Sequence, residues 1–203
     1  MKHSSHGTYV ALFVLALSFS IPVAFAQPSA RVLSPHQQLA RDIFRELIEI
    51  NTTMNVGSTK AAEAMVGHLK AAGFFESDMQ LVGPRDQNRN LVVRYRGSGN
   101  AKPILFIAHL DVVEALREDW SMDPFIFVEK DGFFYGRGTS DMKSEVAEIL
   151  ANFIRLKKEG FVPKRDIILA LTEHEENGDA NGVLWLLANR RDLIDAEFAI
   201  NLE

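Results

Sequence analysis

Apolar residues recur every three to four positions in three segments of the chain, which predicts three amphipathic helices. The first begins at Ser34 and Pro35, an N-cap residue followed by a first-turn proline. Its apolar face consists of Leu39, Ile43, Phe44, Leu47 and Ile48. The second helix is predicted over about residues 58–72, before Gly73, and the third over residues 142–158, before Gly160.

Continuous apolar runs that stop at polar residues predict strands buried on both faces. Three such runs cover residues 103–108, 166–172 and 196–202. Two weaker strands are predicted at residues 80–82 and 90–95. Strands that alternate with helices predict an α/β fold with a mostly parallel, mixed sheet flanked by helices.

A β-hairpin and a glycine-rich loop precede the third predicted helix. Residues 125–129 and 133–135 flank Asp131-Gly132, a pair that readily adopts the positive φ angles of a tight turn. The loop Tyr135–Lys143 follows at once and brings Asp141 to the start of the helix. Its glycines match neither the P-loop spacing nor the full dinucleotide pattern, so we discard a phosphate-binding interpretation.

Four ionisable residues come directly after the three apolar strands. They are His109, Glu175, Glu176 and Glu203. Because ligands of parallel α/β sheets bind beyond the carboxyl ends of the strands, this edge is the predicted functional site. Crowded carboxylates repel one another unless cations neutralise them, and two divalent ions would do so. Histidine with carboxylates suits zinc, with manganese or cobalt as substitutes.

Two pairs of neighbouring residues have distinct predicted roles at this site. We expect the alternation of a strand end to point the side chains of His109 and Asp111 apart, so that Asp111 orients the imidazole rather than binding metal beside it. Glu175 and Glu176 are adjacent and should also project differently. One can bind metal while the other acts as a base.

Each of these residues also has a simpler interpretation. Asp141 or Ser140 could cap the third helix, and His109 could be a hydrogen-bonded residue without a metal. The segment 173–176 could be an exposed acidic turn. The joint occurrence of these residues at neighbouring strand ends favours the metal site over the separate alternatives.

The beginning of the chain and its composition restrict location and partners. Lys2, the apolar run 9–19 and the segment Ala24-Phe25-Ala26 predict a signal peptide over residues 1–26, with an uncleaved membrane anchor as the alternative. We therefore expect an exported protein, periplasmic or secreted, without a stable membrane span after cleavage. The net charge of −5 disfavours nucleic acid as a partner, and the absence of cysteine excludes thiolate metal sites.

Several motifs resemble, in order and spacing, those of the co-catalytic zinc metallopeptidases over about Ser34 to Glu203. This family includes glutamate carboxypeptidase, peptidase T-like and carnosinase-like dipeptidases, aminoacylases and succinyl-diaminopimelate desuccinylase. The motifs are His109-Leu110-Asp111-Val112-Val113, Trp120 with Asp123-Pro124-Phe125, Asp131-Gly132, Tyr135-Gly136-Arg137-Gly138 with Asp141-Met142-Lys143, and Glu175-Glu176 with Gly178.

The resemblance implies a zinc-exopeptidase-like catalytic domain and a role for each residue of the site. His109 and Glu203 would bind one metal ion, Asp141 would bridge two, and Glu176 would bind the second. Glu175 would be the general base and Asp111 the partner of His109. The chain departs from the family pattern at Glu114, His174 and Ser144, none of which is an implied ligand.

The resemblance further implies that residues 27–203 are the amino-terminal part of the catalytic domain. A lid or dimerisation domain, a returning catalytic segment with another histidine ligand, and a homodimer would belong to the full-length form. The expected activity is hydrolysis of amide bonds in small peptides, of the carboxypeptidase or dipeptidase type. A deacylase for N-acyl amino acids is the alternative, and a non-catalytic protein that binds metal or a partner is a third.

Overall fold

A five-stranded mixed sheet forms the centre of the protein, whose computed structural model describes residues 32–178 and 180–203. The strands in chain order are β1 (Met79–Arg85), β2 (Asn88–Tyr95), β3 (Ala101–His109), β4 (Val128–Lys130), β5 (Phe133–Tyr135), β6 (Arg165–Thr172) and β7 (Phe198–Asn201). The order within the sheet is β1-β2-β6-β3-β7, and β4 and β5 form a separate hairpin. Each strand predicted from the sequence is therefore present.

The parallel part of the sheet contains the three strands that the apolar runs predicted. β3 pairs in parallel with β6 on one side and with β7 on the other. β2 pairs antiparallel with both β1 and β6. The two-residue connection between β1 and β2 requires an antiparallel pair, because a parallel connection needs a crossover of a dozen or more residues. The sheet is thus mixed, as expected, with the antiparallel pairings at one side.

Helices cover both faces of the sheet. They are α1 (Pro35–Glu49), α2 (Thr59–Ala71), α3 (Lys143–Lys158), α4 (Gly182–Asn189) and α5 (Arg191–Ile194). The sequence predicted the start of α1 and both ends of α2 and α3 to within one residue. In α1 the Gln37 side chain accepts a hydrogen bond from the Ser34 backbone N–H at 3.0 Å, which satisfies one of the free donors at a helix start.

Two hydrophobic clusters lie on opposite faces of the sheet. The larger cluster joins α1, α2 and α3 to side chains that include Leu91, Ala108 and Leu171. The smaller one contains Val92, Leu105, Ile168, Ala170, Leu186 and Ile194. β3 contributes to both clusters, as a strand buried on both faces should.

The β4–β5 hairpin packs its aromatic residues against α1. Asp131 and Gly132 have φ angles of 54° and 81°, as the turn sequence predicted. The Phe44 ring lies edge-on to Phe127 and Phe134, with centroid distances of 5.3 and 5.5 Å. This packing fixes the start of the loop that carries Asp141.

The predicted signal peptide, residues 1–26, lies outside the described residues. Within residues 32–178 and 180–203, no helix has both the length and the apolar character that crossing a membrane requires. β7 forms one edge of the sheet, and all four of its residues are exposed, so the prediction of burial on both faces is wrong for this third apolar run.

Candidate metal centre

The carboxyl ends of β3, β6 and β7 meet at one edge of the sheet. His109, the last residue of β3, lies opposite Thr172, the last residue of β6. The Leu110 backbone N–H donates to the Thr172 carbonyl at 2.8 Å, so the two chains stay together beyond the strands. Glu203 follows β7 by two residues. The parallel pairing thus brings the predicted site residues to a common edge.

His109 presents one ring nitrogen to this edge. The side chain is only 2% exposed, and its Nδ1 lies 3.0 Å from the Asp111 backbone carbonyl. A carbonyl can only accept, so Nδ1 carries the proton and donates it. Nε2 then has its lone pair directed toward Asp141, whose Oδ1 lies 3.0 Å away. Two lone-pair atoms at this separation require a proton or a metal ion to hold them together.

One group of possible metal ligands exists in the described part of the chain. His109, Asp141 and Glu203 each offer one ligand atom, and these atoms all lie within 4.8 Å of one another. Ligand atoms of a tetrahedral zinc site with bonds of 2.0–2.1 Å are about 3.3 Å apart, so small side-chain rotations would complete the site. The nitrogen and oxygen donors fit zinc, and also manganese or cobalt.

Asp111 connects His109 to the loop after β6. Its carboxylate is 2% exposed, and it accepts the backbone N–H groups of Glu175 and Glu176, each at 3.1 Å. The same carboxylate lies 3.6 Å from His109 Nδ1. The expectation that these two side chains point apart is therefore wrong. Strand alternation separates adjacent residues and places residues two positions apart on the same face, so it gives His109 and Asp111 no reason to diverge.

Glu175 and Glu176 have different environments, as their adjacency predicted. Glu175 is exposed, whereas Glu176 is partly buried. Burial raises the pKa of Glu176, the carboxylates of Asp141, Asp111 and Glu175 raise it further, and His109 lowers it. A carboxyl surrounded by like charges binds a cation readily, because the cation relieves that repulsion.

Asp141 lies in the loop before α3, with 57% of its side chain exposed. The residue that precedes α3 is Met142, and no side chain caps the helix. The alternative in which Asp141 or Ser140 caps α3 is therefore wrong. Met142 is buried, and its Sδ accepts the His109 backbone N–H at 3.2 Å. The loop is thus tied directly to the end of β3.

Two buried ionisable side chains beside this edge were not predicted from the sequence. Lys143 is fully buried, and burial lowers its pKa to about 7, against the opposing effect of the Asp111 carboxylate. Glu173 is also fully buried, so the interpretation of residues 173–176 as an exposed turn is wrong for this residue. Burial raises the pKa of Glu173 to about 7. The sequence offers only their positions as a signal: Lys143 belongs to the motif of Asp141, and Glu173 lies two positions before Glu175.

A comparison with models of protein families shows which family the residues of this site belong to. Residues 105–203, which contain β3, the loop, α3, β6 and β7, match the model of peptidase family M20/M25/M40. These residues form a peptidase M20 family domain. The resemblance found in the motifs is thereby confirmed.

Curated relatives of this M20 domain include enzymes that act on N-acyl groups. A succinyl-diaminopimelate desuccinylase of Delftia acidovorans is 39% identical over 112 residues, which cover 53% of this chain and 29% of that protein. An N-fatty-acyl-amino acid synthase/hydrolase of Bos taurus is 40% identical over 81 residues, 40% of this chain and 16% of that protein. The matched region thus covers less than a third of either relative.

Solved structures confirm the predicted fold. Human carnosine dipeptidase 1 superposes with a TM-score of 0.67 at 19% identity, over 82% of this chain and 38% of that one. An M20 family metallo-carboxypeptidase from Sulfolobus solfataricus has a TM-score of 0.67 at 18% identity, over 80% and 36% of the two chains. At these identities the likeness shows the fold alone.

Proposed function

We propose that the protein is a metal-dependent hydrolase that cleaves amide bonds of small peptides, of the carboxypeptidase or dipeptidase type. The observation that carries this proposal is the convergence of His109, Asp141 and Glu203 at one edge of an M20 family domain. Ligand atoms from a strand end, a loop and a third segment meet there. One imidazole nitrogen and two carboxylates are a donor set that suits a divalent cation.

In this proposal the chain holds two divalent ions, and the donor types suit zinc. His109 and Glu203 would hold one ion, Glu176 would hold the other, and Asp141 would contribute to both. When bound, the ions supply positive charge that acidifies water and polarises a substrate carbonyl. A solved relative from Bacillus subtilis is described as a dinuclear metal-binding peptidase, which supports two ions rather than one.

Glu175 is the proposed general base. Its side chain is exposed, while its backbone N–H donates to the Asp111 carboxylate. The carboxylate accepts a proton from the attacking water, and a new bond forms between the water oxygen and the amide carbon. The carbon–nitrogen bond then breaks, and Glu175 returns the proton to the leaving amine.

Replacement of Glu175 by glutamine tests this assignment. Glutamine keeps the shape of the side chain but cannot accept the proton, so turnover should fall by about 10²–10⁴-fold. Metal content, measured by atomic emission on protein from the complete reading frame, should not change. Glu148→Gln, at an exposed position of α3, is the matched control. Loss of metal together with turnover would show that Glu175 is a ligand and not the base.

A deacylase for N-acyl amino acids is the second candidate. The curated relatives named above favour it, because their names describe a desuccinylase and an N-fatty-acyl-amino acid hydrolase. The two candidates share the reaction and differ in the group on the carbonyl side. Values of kcat/KM for dipeptides, N-succinyl, N-acetyl and N-fatty-acyl amino acids separate them, since a preference of tenfold or more for either class selects one.

A non-catalytic protein that binds metal is the third candidate. It predicts stoichiometric metal with no hydrolysis of any of these substrates in protein from the complete reading frame. That result would contradict both hydrolase proposals. Turnover that disappears with a chelator and returns with zinc would contradict the non-catalytic one.

A further inference from the structure

Lys143 joins the loop that carries Asp141 to the carboxyl end of α1. Its side chain is fully buried, although it is the first residue of α3. The Nζ atom donates hydrogen bonds to the backbone carbonyls of Leu47 and Ile50, each at 2.8 Å. Leu47 lies in the last turn of α1, and Ile50 directly follows that helix. One ammonium group therefore links the start of α3 to the end of α1.

The donor hydrogens of Lys143, and its charge in the protonated form, suit α1 and not its own helix. The last carbonyls of a helix lack partners within it and carry partial negative charge, so a cation stabilises them. The first turn of a helix has the opposite polarity and disfavours a cation. The stability of α3 alone does not explain a lysine at this position. The contact that explains it is the one with α1.

The path of the lysine stem also constrains the loop. The Lys143 backbone N–H donates to the Gly138 carbonyl at 3.1 Å, which closes the loop upon itself. A Cβ on Gly138 would lie 2.9 Å from Lys143 Cδ and 2.9 Å from Val112 Cγ1. Gly138 also has a φ of 86°, which disfavours other residues. The stem thus passes between the loop and the segment that follows β3.

Asp141 has few contacts of its own. Its side chain is more than half exposed, and its Oδ1 lies 3.0 Å from His109 Nε2. Its backbone position is instead determined by its two buried neighbours, Met142 and Lys143. Met142 ties the loop to β3, and Lys143 ties it to α1.

We propose that Lys143 is a positioning residue, whose hold on the carboxyl end of α1 places the Asp141 carboxylate at the metal centre. This inference rests on the proposed function, since it assumes that Asp141 binds metal. Residues that orient metal ligands typically change metal affinity by about 10–100-fold when they are replaced. The same range is expected here.

The first test compares Lys143→Met with Lys158→Met. Methionine keeps the length and apolar stem of lysine but cannot donate to the two carbonyls. Lys158 is exposed at the other end of α3, so its replacement removes the same charge without the contact. Zinc affinity, measured by competition with a chromophoric chelator, should fall by about 10–100-fold for Lys143→Met and stay within twofold of wild type for Lys158→Met.

A chemical rescue keeps the inference testable even if Lys143→Met folds poorly. The chain has no cysteine, so Lys143→Cys has a unique thiol. In denaturant, this thiolate displaces bromide from 2-bromoethylamine to give a thioether analogue of lysine, and the protein is then refolded. Treatment with iodoacetamide gives a matched side chain without the ammonium group. The aminoethylated protein should recover zinc affinity to within about threefold of wild type, and the carbamidomethylated protein should not.

The outcomes separate this inference from the proposed function. Wild-type protein that binds no zinc would contradict the proposed function. If wild type binds zinc and Lys143→Met binds it with the same affinity, only the inference about Lys143 is contradicted. Equal zinc affinity of the two alkylated proteins would also contradict it. A lysine that merely stabilises the fold would lower the Tm of the metal-free protein without changing the zinc affinity of the folded form.

Discussion

Glu173 should make the folded protein less stable as the pH rises, and Glu173→Gln should remove this effect. The side chain is fully buried, and neither carboxylate oxygen has a hydrogen-bond partner within the described part of the chain. Burial raises the pKa from an ordinary 4.5 to about 7; the Asn88 side chain and Arg85 oppose the increase, and the Asp111 carboxylate adds to it. His174 Nε2 lies 3.6 Å from the Glu173 carboxylate.

The sign and the size of the effect follow from linkage. A carboxyl group with a raised pKa in the folded state contributes its full share of stability below pH 4.5, where both states are protonated. Between pH 4.5 and about 7 the unfolded chain ionises first, and stability declines. At 1.36 kcal/mol per pKa unit, the loss above pH 7 amounts to about 3 kcal/mol.

Urea denaturation of both proteins at pH 5 and pH 8, with a chelator present, measures this loss. Glutamine is neutral at both pH values, so the variant should gain about 2.5 kcal/mol over wild type on going from pH 5 to pH 8. Ionisable groups that do not interact with residue 173 cancel in this double difference. Glu63→Gln, at an exposed position of α2, should show no such gain. A gain below about 1 kcal/mol for Glu173→Gln would refute the reasoning.

Two further predictions concern the metal centre and the hairpin. Asp141→Ala should abolish binding of both ions, whereas Glu203→Ala should weaken mainly one; equal zinc stoichiometry in the two variants, measured by atomic emission, would contradict a bridging role for Asp141. Phe44→Ala should lower the free energy of unfolding by about 3–5 kcal/mol, because the ring packs on both Phe127 and Phe134. Urea denaturation measures the free energy of unfolding of Phe44→Ala and of the control Phe161→Ala, which replaces an exposed side chain. Equal decreases in the two variants would contradict the prediction.

The sequence predicted the parts of the fold in which local pattern and tertiary position agree. The apolar runs that became β3, β6 and β7 end at polar residues, so both the strands and their common edge could be predicted. It did not predict α4, because the segment 182–189 is apolar on all sides. Leu184 and Leu187 are in fact exposed, so no helical period marks the buried side.

The burial of charged residues could not be predicted from the local sequence pattern. Lysine and glutamate are almost never fully buried unless paired, so the sequence alone favoured exposure of Lys143 and Glu173. The partners that hold Lys143 are backbone carbonyls of Leu47 and Ile50, and a backbone carbonyl has no signature in the residue type. The same limit applied to Asp111, whose carboxylate binds two backbone N–H groups.

The bonds from Asp111 to Glu175 and Glu176 also restrict when the site can form. The groups that they join are 64 and 65 positions apart in the chain, so closure of this long segment must precede them. The unfolded chain consequently has no ligand cluster to offer, and a metal ion at the proposed site would bind only after β3 and β6 have paired. Such an ion would favour the folded state by mass action. If the proposed site binds zinc, folding yield should therefore depend on the zinc supply where the chain folds.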